Sequence, residues 1–379
     1  MSPAASRKEE KHPSGIPGTL LIWTIPLILS LCGLVMIASL SLRNSMEGGE
    51  PYGPPLRQFQ FLGIGLTLMV CCALSSPGFF RRHGAILWVI SVLLLFGTLT
   101  PLGVRVGGAR RWLNVFGARF QPLEFLLFTV PIFMADRLAA VRRQGYRAFL
   151  RPTLMMMVVS VWPLLFQPNL GGTILVSAIC FLMHAERRGW KFPVIGGLLA
   201  VVAVMGLIAI APYRLRRFEA FWDPWEDPRD KGYQIIQGLV AFSNGGATGV
   251  GIGKGLQEER YLPEAETDYI FPAIGEEFGL VGTLFLLSLY GIWTFRVYQI
   301  YCRARDPFLA SLTMGLTASV ICPMFVNIGG VTKLMPLSGV PLPFISAGGS
   351  SMVFMWMKVG LLIAVNRAVY YKNMMEQGR

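Results

Sequence analysis

The feature that most constrains this chain is a series of apolar runs, each close to the length of a bilayer crossing. A run of about 20 apolar residues crosses ~30 Å of hydrocarbon, and in lipid only a helix satisfies all of its own backbone polar groups. Such runs occur at roughly 18–42, 58–76, 85–101, 120–139, 152–167, 171–185, 193–212, 275–298, 308–328 and 344–368. Charged residues make up 15% of the 379 positions, against about 25% in a soluble domain. The pattern predicts an all-α polytopic membrane protein with about ten transmembrane helices. The first run is too long for a signal peptide and lacks a small-residue cleavage site, so it reads as a span.

Residues 1–17 are polar and read as a disordered cytoplasmic tail, 18–368 as a single transmembrane domain, and 369–379 as a second cytoplasmic tail. The long connection, 213–274, falls between spans seven and eight. Lys and Arg collect in short cytoplasmic loops. Here they crowd alternate connections, with Arg137, Arg142, Arg143, Arg147 and Arg151 in one and Arg187, Arg188 and Lys191 in another. That places both termini inside and the long loop outside. The net charge of +13 is then a property of cytoplasmic loops, and no nucleic-acid partner is expected. The six cysteines lie in or beside apolar runs, so neither a disulfide framework nor a metal site is indicated.

The long loop and its edge gather acids: Glu258, Glu259, Glu264, Glu266, Asp268, Glu276 and Glu277. A membrane protein that concentrates carboxylates at one water-facing place is expected to bind or react there. Gly232 to Gly246 reads as a short re-entrant or interfacial helix, too short to span. GVGIGKG at 249–255 is not a nucleotide loop, since no strand precedes it and no Ser or Thr follows Lys254. One outer loop, 102–119, carries Arg105, Arg110, Arg111 and Arg119 with no acid. These are either interfacial anchors beside Trp112 or an anion site, because guanidinium forks match phosphate geometry.

Spacing alone leaves Asp268 a helix cap or first-turn acid. It makes Glu276 and Glu277 first-turn acids or intrahelical partners of span eight. Asp223, Trp225 and Asp227 read as a rigid interfacial turn. PLPFISAGGSS at 341–351 opens span ten and reads as a packing segment or as the lining of a lipid groove.

Five motifs, in order along the chain, carry a family resemblance: GGARRWLNVFGARFQPLEF (107–125), QPNLGG (167–172), FWDPWEDPRDKGYQIIQ (221–237), LPEAETDYIFPAIGEEFGLVG (262–282) and NIGGVTKLMPLSGVPLPFISAGGSS (327–351). The chain resembles the SEDS proteins FtsW, RodA and SpoVE, and its LPEA and PLPFISAGGSS wording is closer to the FtsW/SpoVE branch. The resemblance implies a peptidoglycan glycosyltransferase that polymerises lipid II into β-1,4 glycan at the outer face of the bacterial cytoplasmic membrane, during division or related cell-shape synthesis. It implies Asp268 as the essential aspartate. Arg110, Arg111, Trp112, Arg119, Gln121, Glu124, Glu264 and Lys333 are the candidate substrate contacts. A single-span class B penicillin-binding transpeptidase is the implied partner, beside other divisome or elongasome membrane proteins. No closed metal-ligand set is visible; a divalent cation, Mg2+ or Mn2+, is compatible with a pyrophosphate leaving group.

The chain departs from the family pattern at four places. Leu127 stands where the family has a Lys, Asn169 where it has an Asp, Glu266 where it has a His, and Ala347 where it has a Tyr. The missing Lys leaves Glu124 without its usual cation, and Lys358 or an arginine of 105–119 is the expected substitute. Glu266, two residues from Asp268, is expected to couple to it if the segment is extended, because residues two apart then share a face. Two other functions compete with polymerisation: flipping of lipid II, and a non-catalytic scaffold for a transpeptidase.

Overall fold

The computed structural model describes residues 18–44, 52–106, 109–115, 117–140, 146–210, 219, 221–230, 232–255 and 265–376. Helices dominate: α1 (Thr19–Asn44), α2 (Gly53–Leu74), α3 (Pro77–Gly97), α4 (Pro122–Ala140), α5 (Tyr146–Phe166), α6 (Leu170–Arg188) and α7 (Lys191–Ile210). After the long connection come α8 (Tyr233–Gly245), α9 (Ile270–Arg303), α10 (Pro307–Val331) and α11 (Gly349–Glu376). Among the described residues seven of these are long and apolar enough to cross a membrane, namely α1, α2, α3, α6, α9, α10 and α11. The chain is a multi-pass, mainly helical membrane protein. α4, α5 and α7 occupy the other three expected runs, and α11 continues to Glu376, past the expected end at 368.

The helix starts are written locally. Ser76 Oγ accepts from Phe79 N at 3.2 Å, Asn169 Oδ1 from Gly172 N at 3.0 Å, and Asp306 Oδ1 from Phe308 N at 2.8 Å. Each side chain satisfies a donor that the first turn leaves open. Pro77 and Pro307 follow two of these caps, where a missing N–H costs nothing. α10 and α11 form the interior of the bundle, with α10 against α4, α6 and α9 and α11 against α2. Buried polar pairs tie helices together where water is absent. Trp88 Nε1 donates to Ser160 Oγ at 3.0 Å, and Gln167 Nε2 donates to Leu95 O at 3.0 Å.

Two features correct the expectation from sequence. The arginine-rich loop is a three-stranded antiparallel sheet, β1 (Gly103–Val106), β2 (Ala109–Val115) and β3 (Ala118–Phe120), in the order β1-β2-β3. Its valines, Trp112 and Phe120 suit a pleated surface, and Gly117 supplies the positive φ of the second turn.

The second correction concerns α9, which begins at Ile270 rather than near 275 and is interrupted at Gly279 (φ 66°, ψ −164°). The glycine-rich segment after α8 fills the break. Val250 N and Gly251 N donate to the carbonyls of Glu276 and Glu277 at 3.0 Å each, and Leu280 N and Val281 N donate to Gly246 O (2.9 Å) and Ala247 O (3.1 Å). GVGIGKG therefore caps a broken helix. Glu276 and Glu277 sit in the turn before the break, each about 1% exposed, not in the first turn as expected. Glu276 Oε1 accepts from Asn244 Nδ2 at 2.9 Å; Glu277 Oε1 accepts from Ser39 Oγ at 2.9 Å and Gly253 N at 2.6 Å.

The bundle has two unlike ends. At one, Arg81–Asp136, Glu186–Arg187, Arg305–Glu376 and Asp306–Lys372 form ion pairs. At the other lie the sheet, the start of α9 and the connection from α10 to α11.

Candidate active site

Asp268 lies in a turn, residues 265–269, that leads directly into α9. It is half-buried, and the residues on either side are held through their backbones. Asn327 of α10 donates Nδ2 to the carbonyl of Asp268 at 2.9 Å and to that of Val340 at 2.8 Å. Ser346 Oγ donates to Thr267 O at 2.6 Å, and Ala347 N donates to Glu266 O at 2.8 Å. The loop that supplies these contacts is fixed in turn. Leu342 N donates to Ser346 Oγ at 2.8 Å, Tyr290 OH donates to Pro343 O, and Gln58 of α2 bonds both Ser346 O (3.2 Å) and Gly348 N (3.1 Å). Gly339 of this loop has φ 64°, and a Cβ there would stand 3.2 Å from Asp268 Oδ2. The loop thus approaches the carboxylate with backbone alone.

The same segment continues to the arginine sheet. Gln121 N donates to Ser350 Oγ at 3.0 Å, and Ser350 Oγ donates to Arg119 O at 3.5 Å. Residues 346–351 therefore join the Asp268 turn to the β3–α4 junction.

Strand alternation sorts the arginines. Successive residues face opposite sides of a sheet. Arg110, Trp112 and Asn114 share one face of β2, and their cross-strand partners bring Arg105 and Arg119 to it. Arg111 and Leu113 take the other face. Leu113 is buried, its partner Phe120 meets Phe354 at 6.0 Å, and Arg111 Nη2 donates to Pro168 O at 2.7 Å. Sequence reasoning grouped Arg110, Arg111 and Trp112 by adjacency; the pleat separates Arg111 from the other two.

Lys333 follows α10 in the connection that carries Gly339, with a positive φ of 58°. Gln121 and Glu124 stand at the sheet–α4 junction. Glu264, like Glu258 and Glu259, lies outside the described residues. Glu266 turns toward α1, where Ser41 Oγ donates to its Oε1 at 3.1 Å. The 265–269 segment is a turn rather than extended, so the shared face that would couple Glu266 to Asp268 is not formed. Asn169 caps α6, and Ala347 acts through its backbone N–H. Asp223 Oδ1 accepts from Trp225 N at 3.0 Å, the local bond that stiffens the DPW turn. Among the described residues no three His, Cys, Asp or Glu side chains stand together as metal ligands.

Sequence reasoning missed Gln58, Asn327, Gly339, Ser346 and Ser350 as parts of the site. Four of them lie inside the 327–351 motif, whose 341–351 part reads in sequence as packing or as the lining of a lipid groove.

A family model described as "Cell cycle protein", covering FtsW, RodA and SpoVE, matches residues 19–371. This chain belongs to the FtsW/RodA/SpoVE family. It is 37% identical to the probable peptidoglycan glycosyltransferase FtsW of Aliivibrio salmonicida, over 93% of this chain and 90% of that one. It is 33% identical to the stage V sporulation protein E of Bacillus subtilis, over 93% and 98%. Among solved structures, a peptidoglycan synthase complex that coordinates polymerization and crosslinking matches with a TM-score of 0.75 and 25% identity, covering 92% of this chain and 97% of that one. The rod shape determining protein RodA of Thermus thermophilus matches with a TM-score of 0.70 and 24% identity, over 93% and 97%, and shares the fold. The FtsW/SpoVE wording of the motifs agrees with these relatives.

Proposed function

We propose that this chain is a peptidoglycan glycosyltransferase that polymerises lipid II at the outer face of the bacterial cytoplasmic membrane. The observation that carries the reading is the 346–351 segment, which joins the turn of Asp268 to the junction below Arg119 and Gln121. A base and an anion-binding face at one end of a membrane bundle are the two parts the reaction requires. A sugar 4-hydroxyl displaces a lipid pyrophosphate from an α-linked anomeric carbon and gives a β linkage. That is one in-line inverting step, which needs one general base and no carboxylate nucleophile.

Asp268 takes the proton of the attacking hydroxyl. Its carbonyl is bonded by Asn327, which holds the main chain that presents the carboxylate beside Gly339. Arg105, Arg110 and Arg119 share a sheet face that suits a departing pyrophosphate, with Trp112 as a stacking surface for sugar. Lys333 adds charge from the same connection as Gly339. Glu264, Gln121 and Glu124 position substrate. Arg111 keeps the sheet on the bundle through Pro168.

Ten helices cross the membrane in this reading, with both termini cytoplasmic and 213–274 outside, as the Lys and Arg distribution requires. The ion-paired end is then the cytoplasmic one. The partner is a single-span class B transpeptidase that cross-links the emerging strands, in line with the synthase complex of similar fold.

The test is purified protein with labelled lipid II, alone and with its transpeptidase, as wild type and Asp268→Ala. A general base contributes roughly 10²–10⁴-fold, so the variant is expected to make no detectable glycan while keeping its fold. Absence of strands from wild type with its partner present overturns the reading.

A further inference from the structure

The turn that carries Asp268 is held through three successive carbonyls. Glu266 O accepts from Ala347 N at 2.8 Å, Thr267 O from Ser346 Oγ at 2.6 Å and Asp268 O from Asn327 Nδ2 at 2.9 Å. All three donors come from α10 and the connection that follows it. A row of bonds from one part of the fold acts as a hinge line and leaves rotation about it open. The side chain of Glu266 adds a bond from a different helix. Ser41 of α1, itself 2% exposed, donates its Oγ to Glu266 Oε1 at 3.1 Å.

α1 is placed to act as a splint. A serine or threonine hydroxyl inside a helix can bond the carbonyl four residues back, as Thr24 does to Leu20 O at 2.9 Å. Ser39 and Ser41 instead donate to acids outside their own helix, Ser39 to Glu277 Oε1 at 2.9 Å and Ser41 to Glu266 Oε1. Glu277 stands two residues before the break of α9 at Gly279. Beyond the break, Trp293 Nε1 donates to Ile22 O of α1 at 3.0 Å. One helix thus bonds α9 on both sides of its break and also the turn ahead of it. A hydroxyl–carboxylate bond is charge-assisted, about twice as strong as a neutral one.

We propose that Glu266 is a positioning residue. Bonded to Ser41, its side chain stops the Asp268 turn from pivoting about the bonds to Asn327, Ser346 and Ala347, and so fixes where the Asp268 carboxylate meets the attacking hydroxyl. This role rests on Asp268 being the base. Glu266 stands where the family pattern has a His, and its Oε1 is engaged by α1.

The test is a double-mutant cycle at Ser41 and Glu266, read by lipid II polymerisation and by thermal unfolding in detergent, with wild type and Asp268→Ala as controls. Ser41→Ala and Glu266→Ala are each expected to lower kcat about tenfold, the worth of one charge-assisted bond, with KM within about twofold. The double variant is expected to be no slower than either single one, because both remove the same bond. Glu266→Gln keeps the accepting oxygen and is expected to recover most of the rate, which a charge effect of Glu266 on Asp268 would not allow. Ser41→Ala removes one atom from α1, so the bond is also broken without touching the turn. Wild-type kcat in either alanine variant, additive losses in the double variant, or a Glu266→Gln rate as low as that of Glu266→Ala overturns the proposal. Strands from wild type and none from Asp268→Ala show the function intact whichever way the cycle falls. A wild type that makes no strands removes the function, and the melting temperatures then decide the bond, additive changes counting against it.

Discussion

The hydroxyl of Ser346 donates to the carbonyl of Thr267 at 2.6 Å, across 79 residues of sequence and one residue short of Asp268. The same oxygen accepts from Leu342 N at 2.8 Å. One side chain thus ties the turn that presents Asp268, the proposed base, to the loop beside it. Ser346→Ala leaves a buried carbonyl and a buried N–H without this partner, at about 1–3 kcal/mol. The expected outcome is a lower melting temperature and a larger proportional loss of polymerisation rate, measured with labelled lipid II. An unchanged rate in a destabilised protein would mean that the turn keeps its geometry without Ser346.

Gly339→Ala tests the close approach to the carboxylate. The residue has φ 64°, and the added methyl would sit 3.2 Å from Asp268 Oδ2. The backbone strain is about 1–2 kcal/mol, and the methyl pushes on the one group held to do the chemistry. A fall in kcat is expected to exceed what the stability loss accounts for, and steady-state kinetics beside a melting curve separates the two.

The two sheet faces give opposite variants. Arg119→Ala removes charge from the face that Arg110 shares and is expected to raise KM for lipid II roughly tenfold, the worth of one charge-assisted contact, with the melting temperature nearly unchanged. Arg111→Ala removes the bond to Pro168 O and is expected to cost about 1–3 kcal/mol of stability with a smaller change in KM. The reverse pattern would show that Arg111 is the substrate contact.

At the other end of the bundle, Asp306 caps α10 and receives Lys372 Nζ at 2.9 Å. Burial pushes its carboxyl up, but the Lys372 bond and charge and the Phe308 N–H outweigh this and hold it below the ordinary value. A depressed carboxylate contributes stability above its unfolded value of about 3.9 and loses it as pH falls through the folded value. Melting temperature measured from pH 6 down to pH 3 is expected to fall more steeply for wild type than for Asp306→Asn, with the difference confined to pH below about 4. Parallel curves would mean that the pair contributes nothing, as many exposed pairs do.

Much of this protein was legible in its sequence because membrane spans are a local property. An apolar run must close its own hydrogen bonds wherever it sits, so the helices α1 to α7, α10 and α11 follow from composition, and the caps at Ser76, Asn169 and Asp306 follow from residue type. The motifs around Asp268 and Gln121 were legible through their resemblance to a family, since spacing alone leaves Asp268 a helix cap or first-turn acid. The break at Gly279 was not, because the donors and acceptors that fill it come from 246–251 and no pattern inside α9 announces them. The sheet was missed because four arginines in one short loop drew attention to charge, whereas its fold is decided by pleat, hydrogen-bond register and the turn at Gly117.

The sequence by itself determined that this chain is a helical membrane protein of the FtsW/RodA/SpoVE family with a candidate aspartate at the edge of α9. Tertiary structure decided which groups surround that aspartate. Asn327 reaches its turn from α10, and Ser346 and Gly339 reach it from the α10–α11 connection; Ser350 links that connection to Gln121 across 229 residues. It also parted Arg111 from Arg110 and set the Lys358 ammonium against Ser319 O of α10. These are pairings between distant segments, fixed by helix packing and strand alternation. A linear pattern records which residues a segment contributes, and packing alone decides what they meet.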